Sequence, residues 1–130
     1  MTVYLALRQI QDLHHSQLRR YGGLGGLRDR GALEAAAARP QMTFGGEDLY
    51  SDLAAKAAAL LHSLVLNYPF VDGNKRVGAH AAVVFLLANG LELTAAPRAL
   101  ADVTLATARG EMSAEALAIW IRQRSRPLEP

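Results

Sequence analysis

The chain has 130 residues, 51% of them apolar and 20% charged, which fits a single globular domain with one buried core and excludes a disordered chain. It contains no cysteine, so disulfide frameworks and thiolate metal sites are excluded, and a cytoplasmic location is expected. A formal net charge of only +2, with scattered basic residues and no basic stripe, argues against direct nucleic-acid binding.

In chain order, Val3-Tyr4-Leu5 reads as a short strand. Leu7, Ile10, Leu13 and Leu18 then recur near helical spacing and predict a helix over Leu7 to Tyr21, ended by Gly22-Gly23. Tyr21 to Arg28 is a glycine-rich loop. Asp29 is a good N-cap for an alanine-rich helix from Gly31 to Arg39, stopped by Pro40. Gln41 to Asp48 reads as a surface flap with a tight turn at Gly45-Gly46. A long helix follows, from Leu49 or Ser51 to Asn67; its stretch Leu53 to Leu66 is apolar nearly all round, so it is expected at the centre of the fold.

Pro69 is expected to end that helix by forcing Tyr68 into an extended conformation. A second buried helix is predicted from Asn74 to Asn89. The longest apolar run, Val77 to Ala88, lies inside it, holds His80 and is too short to cross a bilayer. Pro97 suits the first turn of a further helix with Leu100, Val103, Thr104 and Thr107 on one face. Ser113 caps a last helix through Ile121. With no repeat, linker or membrane segment, the expected architecture is all-α: one compact helical bundle over residues 1–130 with a small surface flap.

The chemistry concentrates between the two most buried helices, in Tyr68-Pro69-Phe70-Val71-Asp72-Gly73-Asn74-Lys75-Arg76. Gly73 and Asn74 open an apolar helix whose first-turn amides lack intrahelical partners, and such a helix start attracts phosphate. Lys75 and Arg76 add positive charge there, against the preference of the helix dipole, and so call for an anionic partner. Asp72 offers a hard oxygen ligand suited to Mg²⁺, which favours few carboxylates plus phosphate oxygens. Phe70 and Val71 are expected to pin the loop to the core. Plainer roles stand beside these: Asp72 would serve equally as an N-cap, and Lys75 and Arg76 as solvated first-turn charges.

The ordered residues Phe70, Asp72, Gly73, Asn74, Lys75 and Arg76 resemble the loop of the Fic/death-on-curing family, His-x-Phe-x-(Asp or Glu)-Gly-Asn-(Gly or Lys)-Arg. Three other segments resemble the death-on-curing branch: Arg20-Tyr21-Gly22-Gly23-Leu24, Leu86 to Gly90, and Ala108 to Ser113. The resemblance implies a Fic-like helical fold and a toxin of a toxin–antitoxin module that uses ATP and Mg²⁺. On this chain Asp72 would hold the metal, while Gly73, Asn74, Lys75 and Arg76 hold phosphates. His80, where the family has an assisting Asn, would help at the site or simply pack in the core. The branch implies transfer of the γ-phosphate to a threonine of elongation factor Tu, which stops translation. The alternative is AMP transfer, as in larger Fic enzymes; those carry a second Arg where this chain has Ala79.

Tyr68 departs from the pattern, for it stands where the family keeps its catalytic His. A phenol titrates near ~10 and an imidazole near ~6.5, so tyrosine is a poor proton acceptor at neutral pH. Loss of a positioned base lowers rates by roughly 10²–10⁴. The chain is therefore expected to fold and hold nucleotide, yet to be inactive. A deliberate or host-selected substitution is favoured; a naturally dead module that binds an antitoxin or target is the other reading. His14, His15 and His62 are not placed to substitute as base. No inhibitory helix motif is complete in the chain, so restraint is expected from a small antitoxin whose C-terminal helix lies in a groove of the toxin. The flap from Thr43 to Leu49 is expected to hold the target segment by strand pairing.

Overall fold

Helix α3 (Leu53–Asn67) is apolar on nearly every face, and the rest of the chain wraps it. The computed structural model describes residues 1–129. Around α3 stand α1 (Leu7–Tyr21), α2 (Arg30–Ala38), α4 (Asn74–Ala88), α5 (Pro97–Ala108) and α6 (Ala114–Gln123). Two small antiparallel pairs complete the described residues: β1 (Thr43–Phe44) with β2 (Glu47–Asp48), and β3 (Leu91–Leu93) with β4 (Ser125–Pro127). The expected helical bundle with a flap is what forms. No helix among the described residues is long and apolar enough to cross a membrane.

Leu60, Leu61, Leu64 and Val65 of α3 meet Val77, Phe85 and Leu86 of α4, Ile10 of α1, Leu33 of α2, and Leu117 and Ile121 of α6, all almost wholly buried. Each such side chain contributes about 1.5–3 kcal/mol by leaving water. Gly78 lets α3 and α4 approach closely: a Cβ there would lie 2.8 Å from Val65 Cγ2 and 3.4 Å from the Leu61 carbonyl. That approach fixes the two ends of the loop joining these helices.

Several boundaries differ from the sequence expectation, each for a local reason. α3 begins at Leu53 rather than Leu49 or Ser51, because Asp52 caps it by accepting from Ala55 N at 2.8 Å. Residues before it extend the flap, where Leu49 N donates to the Met42 carbonyl. α2 runs Arg30–Ala38 with Asp29 as its cap, and Pro40 sits in a following 3₁₀ turn, Arg39–Gln41. Val3-Tyr4-Leu5 is not a strand. Its neighbour is the end of α4, and the Asn89 side chain takes the strand partner's place, accepting from Val3 N at 2.7 Å and donating to Val3 O at 2.8 Å. The β3–β4 pair comes from two short segments with no alternation to betray them.

One buried charge belongs to the scaffold. Lys56, in the first turn of the apolar helix, is 2% exposed; its ammonium donates to Asp48 Oδ2 at 3.0 Å and to the Pro40 carbonyl at 3.3 Å. The flap is thereby tied to the core.

Candidate active site

The loop from Tyr68 to Gly73 leaves α3 and enters α4 under tight backbone control. Tyr68 is not extended: it has φ 48° and ψ 56°, the one non-glycine residue with positive φ among the described residues. Pro69 disfavours the right-handed helical region for the residue before it, and the left-handed conformation turns the last α3 carbonyls toward Arg28. Arg28 donates from Nε to the Tyr68 carbonyl and from Nη2 to the Asn67 carbonyl at 2.8 Å. The amides of Arg28 and Asp29 both donate to the Pro69 carbonyl, and Val71 N donates to the Gly26 carbonyl. The glycine-rich loop thus runs beside the candidate site like an irregular strand.

Phe70 is buried and holds the loop to the core, whereas Val71 is 51% exposed and does not. Asn74 clamps the turn: its Oδ1 accepts from Phe70 N at 3.0 Å and its Nδ2 donates to Phe70 O at 2.9 Å. That buried side chain is committed to the turn, so its backbone amide is the group it offers to a ligand. Asp72 is not the N-cap. Gly73 takes that position with φ 81°, and no side chain caps α4, which leaves first-turn amides facing outward.

The Asp72 carboxylate is exposed at the loop's rim. Oδ2 accepts from Leu24 N at 3.1 Å and Oδ1 from Gly73 N at 2.8 Å. The Leu24 amide first, and the Gly73 amide second, hold its carboxyl below the usual carboxylate range, so it is ionised at neutral pH. Gly23 makes room for it, since a Cβ there would sit 2.8 Å from Oδ2. No cluster of three metal-ligating side chains occurs among the described residues. A lone, accessible, ionised carboxylate beside the uncapped first turn of α4 fits Mg²⁺ that takes its other ligands from phosphate and water.

Lys75 and Arg76 project from the first turn of α4, and Arg76 stacks over the Tyr21 ring, 4.8 Å from its centroid. Together with Arg20 and His80 they line a cleft of about 630 Å³ between the end of α1, α4 and α5. Neither Arg20, Lys75 nor Arg76 forms an ion pair within 4.0 Å among the described residues. Tyr68 and Asp72 lie outside that cleft lining. His80 is half-buried; Gln17 Nε2, which can only donate, bonds its Nδ1. Burial, and secondarily Arg20, depress its pKa, so the ring is neutral.

Two supporting residues escape sequence reasoning. Arg28 acts across forty positions of chain. His14, on the inward face of α1, stacks on Phe70 and reaches the Asp72 carbonyl. The spacing of Ile10 and His14 on one face of α1 is the only trace they leave in the sequence.

Comparison with known proteins identifies the family. A profile of the family described as Fic/DOC family matches residues 4–86. A protein named Toxin Doc from Mycolicibacterium smegmatis is 53% identical over 75 residues, which are 58% of this chain and 58% of that protein's length, less than two thirds of it. A protein named Protein kinase doc from Escherichia phage P1 is 33% identical over 120 residues, covering 92% of this chain and 94% of its own. The matched family segment contains α3, the loop and most of α4, with every loop and cleft residue named in this subsection. The chain is a member of the Fic/DOC family.

Proposed function

We propose that this chain is a Doc-type toxin in which the helix start at Gly73 holds the phosphates of ATP–Mg²⁺ and position 68 governs whether transfer occurs. The observation that carries the reading is the uncapped start of α4 beside an ionised Asp72. Asp72 would hold Mg²⁺; the Gly73 amide, on exchanging Asp72 Oδ1 for a phosphate oxygen, and the Asn74 amide, Lys75 and Arg76 would hold phosphate oxygens; and His80, neutral and half-buried, would line the nucleotide side. The metal supplies charge neutralisation when bound.

With histidine at position 68, the ring would take the proton of a threonine hydroxyl as its oxygen attacks the γ-phosphorus, and the bond to the β,γ-bridging oxygen would break to leave ADP. The names of the relatives, a toxin and a protein kinase, support phosphate transfer; elongation factor Tu as the target, with arrest of translation as the result, follows from the resemblance of the loop to the death-on-curing branch. With Tyr68 the chain binds but does not transfer. The backbone agrees with a displaced histidine, because His, Asn and Asp are the non-glycine residues enriched in the left-handed region.

The restraining partner is a small antitoxin. Its segment would be a helix with an apolar face for Ala79, Val83, Leu100 and Ala101 and acidic groups for the unpaired Arg20, Lys75 and Arg76.

The test is Tyr68→His incubated with elongation factor Tu and ATP labelled in either the α- or the γ-phosphate. γ-label on the factor is expected from the variant and not from the Tyr68 chain. α-label would assign AMP transfer instead, and no label on any protein of a lysate would remove the enzymatic reading.

A further inference from the structure

His14 lies outside the loop, on α1, and nothing in the proposed transfer uses it. Its side chain is 5% exposed, and its ring stacks on Phe70 with centroids 3.7 Å apart and planes 8° from parallel. Nε2 stands 2.7 Å from the Asp72 carbonyl oxygen. A carbonyl cannot donate, so Nε2 carries the proton and His14 is the donor.

The consequence lies in the peptide that follows. No cis peptide occurs among the described residues, so the C=O of Asp72 and the N–H of Gly73 belong to one planar trans unit and point in opposite directions. With the carbonyl drawn inward to His14, the Gly73 N–H turns outward, where it meets Asp72 Oδ1 at 2.8 Å. Gly73, with φ 81° and no Cβ, leaves this peptide free to rotate by half a turn in a way other residues resist. The rotated form would present a carbonyl oxygen, not an amide, to the phosphate side. We propose that His14 is a positioning residue that locks the Asp72–Gly73 peptide with its N–H outward, making the helix start competent for anions. The link to anions rests on the nucleotide reading above; the orientation of the peptide does not.

Two variants separate the hydrogen bond from packing. His14→Phe keeps a flat ring against Phe70 and removes the donor, whereas His14→Gln supplies an N–H without the ring. The free ¹⁵N-labelled chain is read at the Gly73 amide, a crystal structure of each variant gives the direction of the Asp72 carbonyl, and calorimetry gives affinity for ATP–Mg²⁺. In His14→Phe the Gly73 resonance should move, the carbonyl should turn away from α1, and affinity should fall about tenfold or more, as when a group that orients a site is lost. His14→Gln should restore all three toward the parent.

An unchanged Gly73 resonance and carbonyl direction in His14→Phe would overturn the assignment, whatever the nucleotide result. Equal loss in His14→Gln would overturn it too, by giving the role to ring packing. Should the parent chain itself not bind ATP–Mg²⁺, the nucleotide reading fails while the amide spectrum still decides on His14.

Discussion

Arg28 closes the C-terminus of α3 from outside the helix, its guanidinium donating to the carbonyl of Tyr68 and to that of Asn67. Helix ends leave carbonyls unpaired, and a cation there also meets the negative end of the helix dipole. The fork spans two successive carbonyls, which an ammonium cannot do with the same geometry. Arg28→Ala is expected to lower stability by about 1 kcal/mol, since the side chain is half exposed, and Arg28→Lys to recover less than half of that. Thermal or urea unfolding of the three proteins checks it; equal stability of all three would show that the fork contributes nothing.

Gly78 sets the separation of α3 and α4. Gly78→Val should destabilise by about 1–3 kcal/mol through overpacking against Val65 and the Leu61 carbonyl, although valine removes a flexible glycine from a helix. Val65→Ala in the same chain should return part of the loss by vacating the space the new side chain needs. A double-mutant cycle in urea measures the coupling, and additive losses would place the strain elsewhere.

Lys56 and Asp48 couple the flap to the core. Removing one partner of a buried ion strands the other, so Asp48→Ala should cost about 1–2 kcal/mol, moderated because Asp48 is half exposed. Lys56→Met, which fills the same space without charge, should be near neutral in global stability yet raise hydrogen exchange at Thr43–Phe44 and Glu47–Asp48. Unchanged exchange there would mean the hairpin holds itself.

Acid should weaken the fold in two stages. Burial, and then the Arg39 charge, depress the pKa of His62; burial, and then Arg20, depress that of His80, both below the ordinary 6.5. Between the folded and unfolded values the unfolded chain binds more protons, so stability rises with pH and is lost as pH falls below about 6.5. Asp52 follows further down. Its carboxyl is held below 3.8, chiefly by the Arg122 guanidinium at 2.7 Å, with the Ala55 amide helping against burial. Its contribution is present above 3.8 and disappears as pH falls through the lower folded value. Urea midpoints from pH 8 to 3 should show both steps, and Asp52→Asn should flatten the second. A single step that survives Asp52→Asn would assign it to other carboxylates.

Much of the molecule is legible in the sequence because its signals are local. The apolar circumference of Leu53 to Leu66 announces a central helix, and Asp29 and Ser113 stand where caps are needed. The loop residues Asp72 to Arg76 carry, by type and order alone, the proposal of an anion site. What stays hidden depends on pairings across the fold. Asn74 reads as a polar helix opener, but burial turns its amide onto Phe70. Asp72 reads as a cap until the Leu24 amide, brought close by the glycine-rich loop, claims its carboxylate. Tyr68 reads as extended from Pro69 alone, while Arg28 rewards the opposite backbone. The contacts from His14, Leu24 and Arg28 follow no spacing rule, since 40 to 58 residues separate these residues from the groups they serve.

Position 68 combines a backbone held by its neighbours with a side chain that is half in water and supports nothing in the core. The fold therefore places no demand on the side chain at this position. A lineage can pass between tyrosine and histidine by a single base change without crossing a misfolded intermediate. If Tyr68 silences transfer as proposed, a gene of this kind would lie one reversion from an active one.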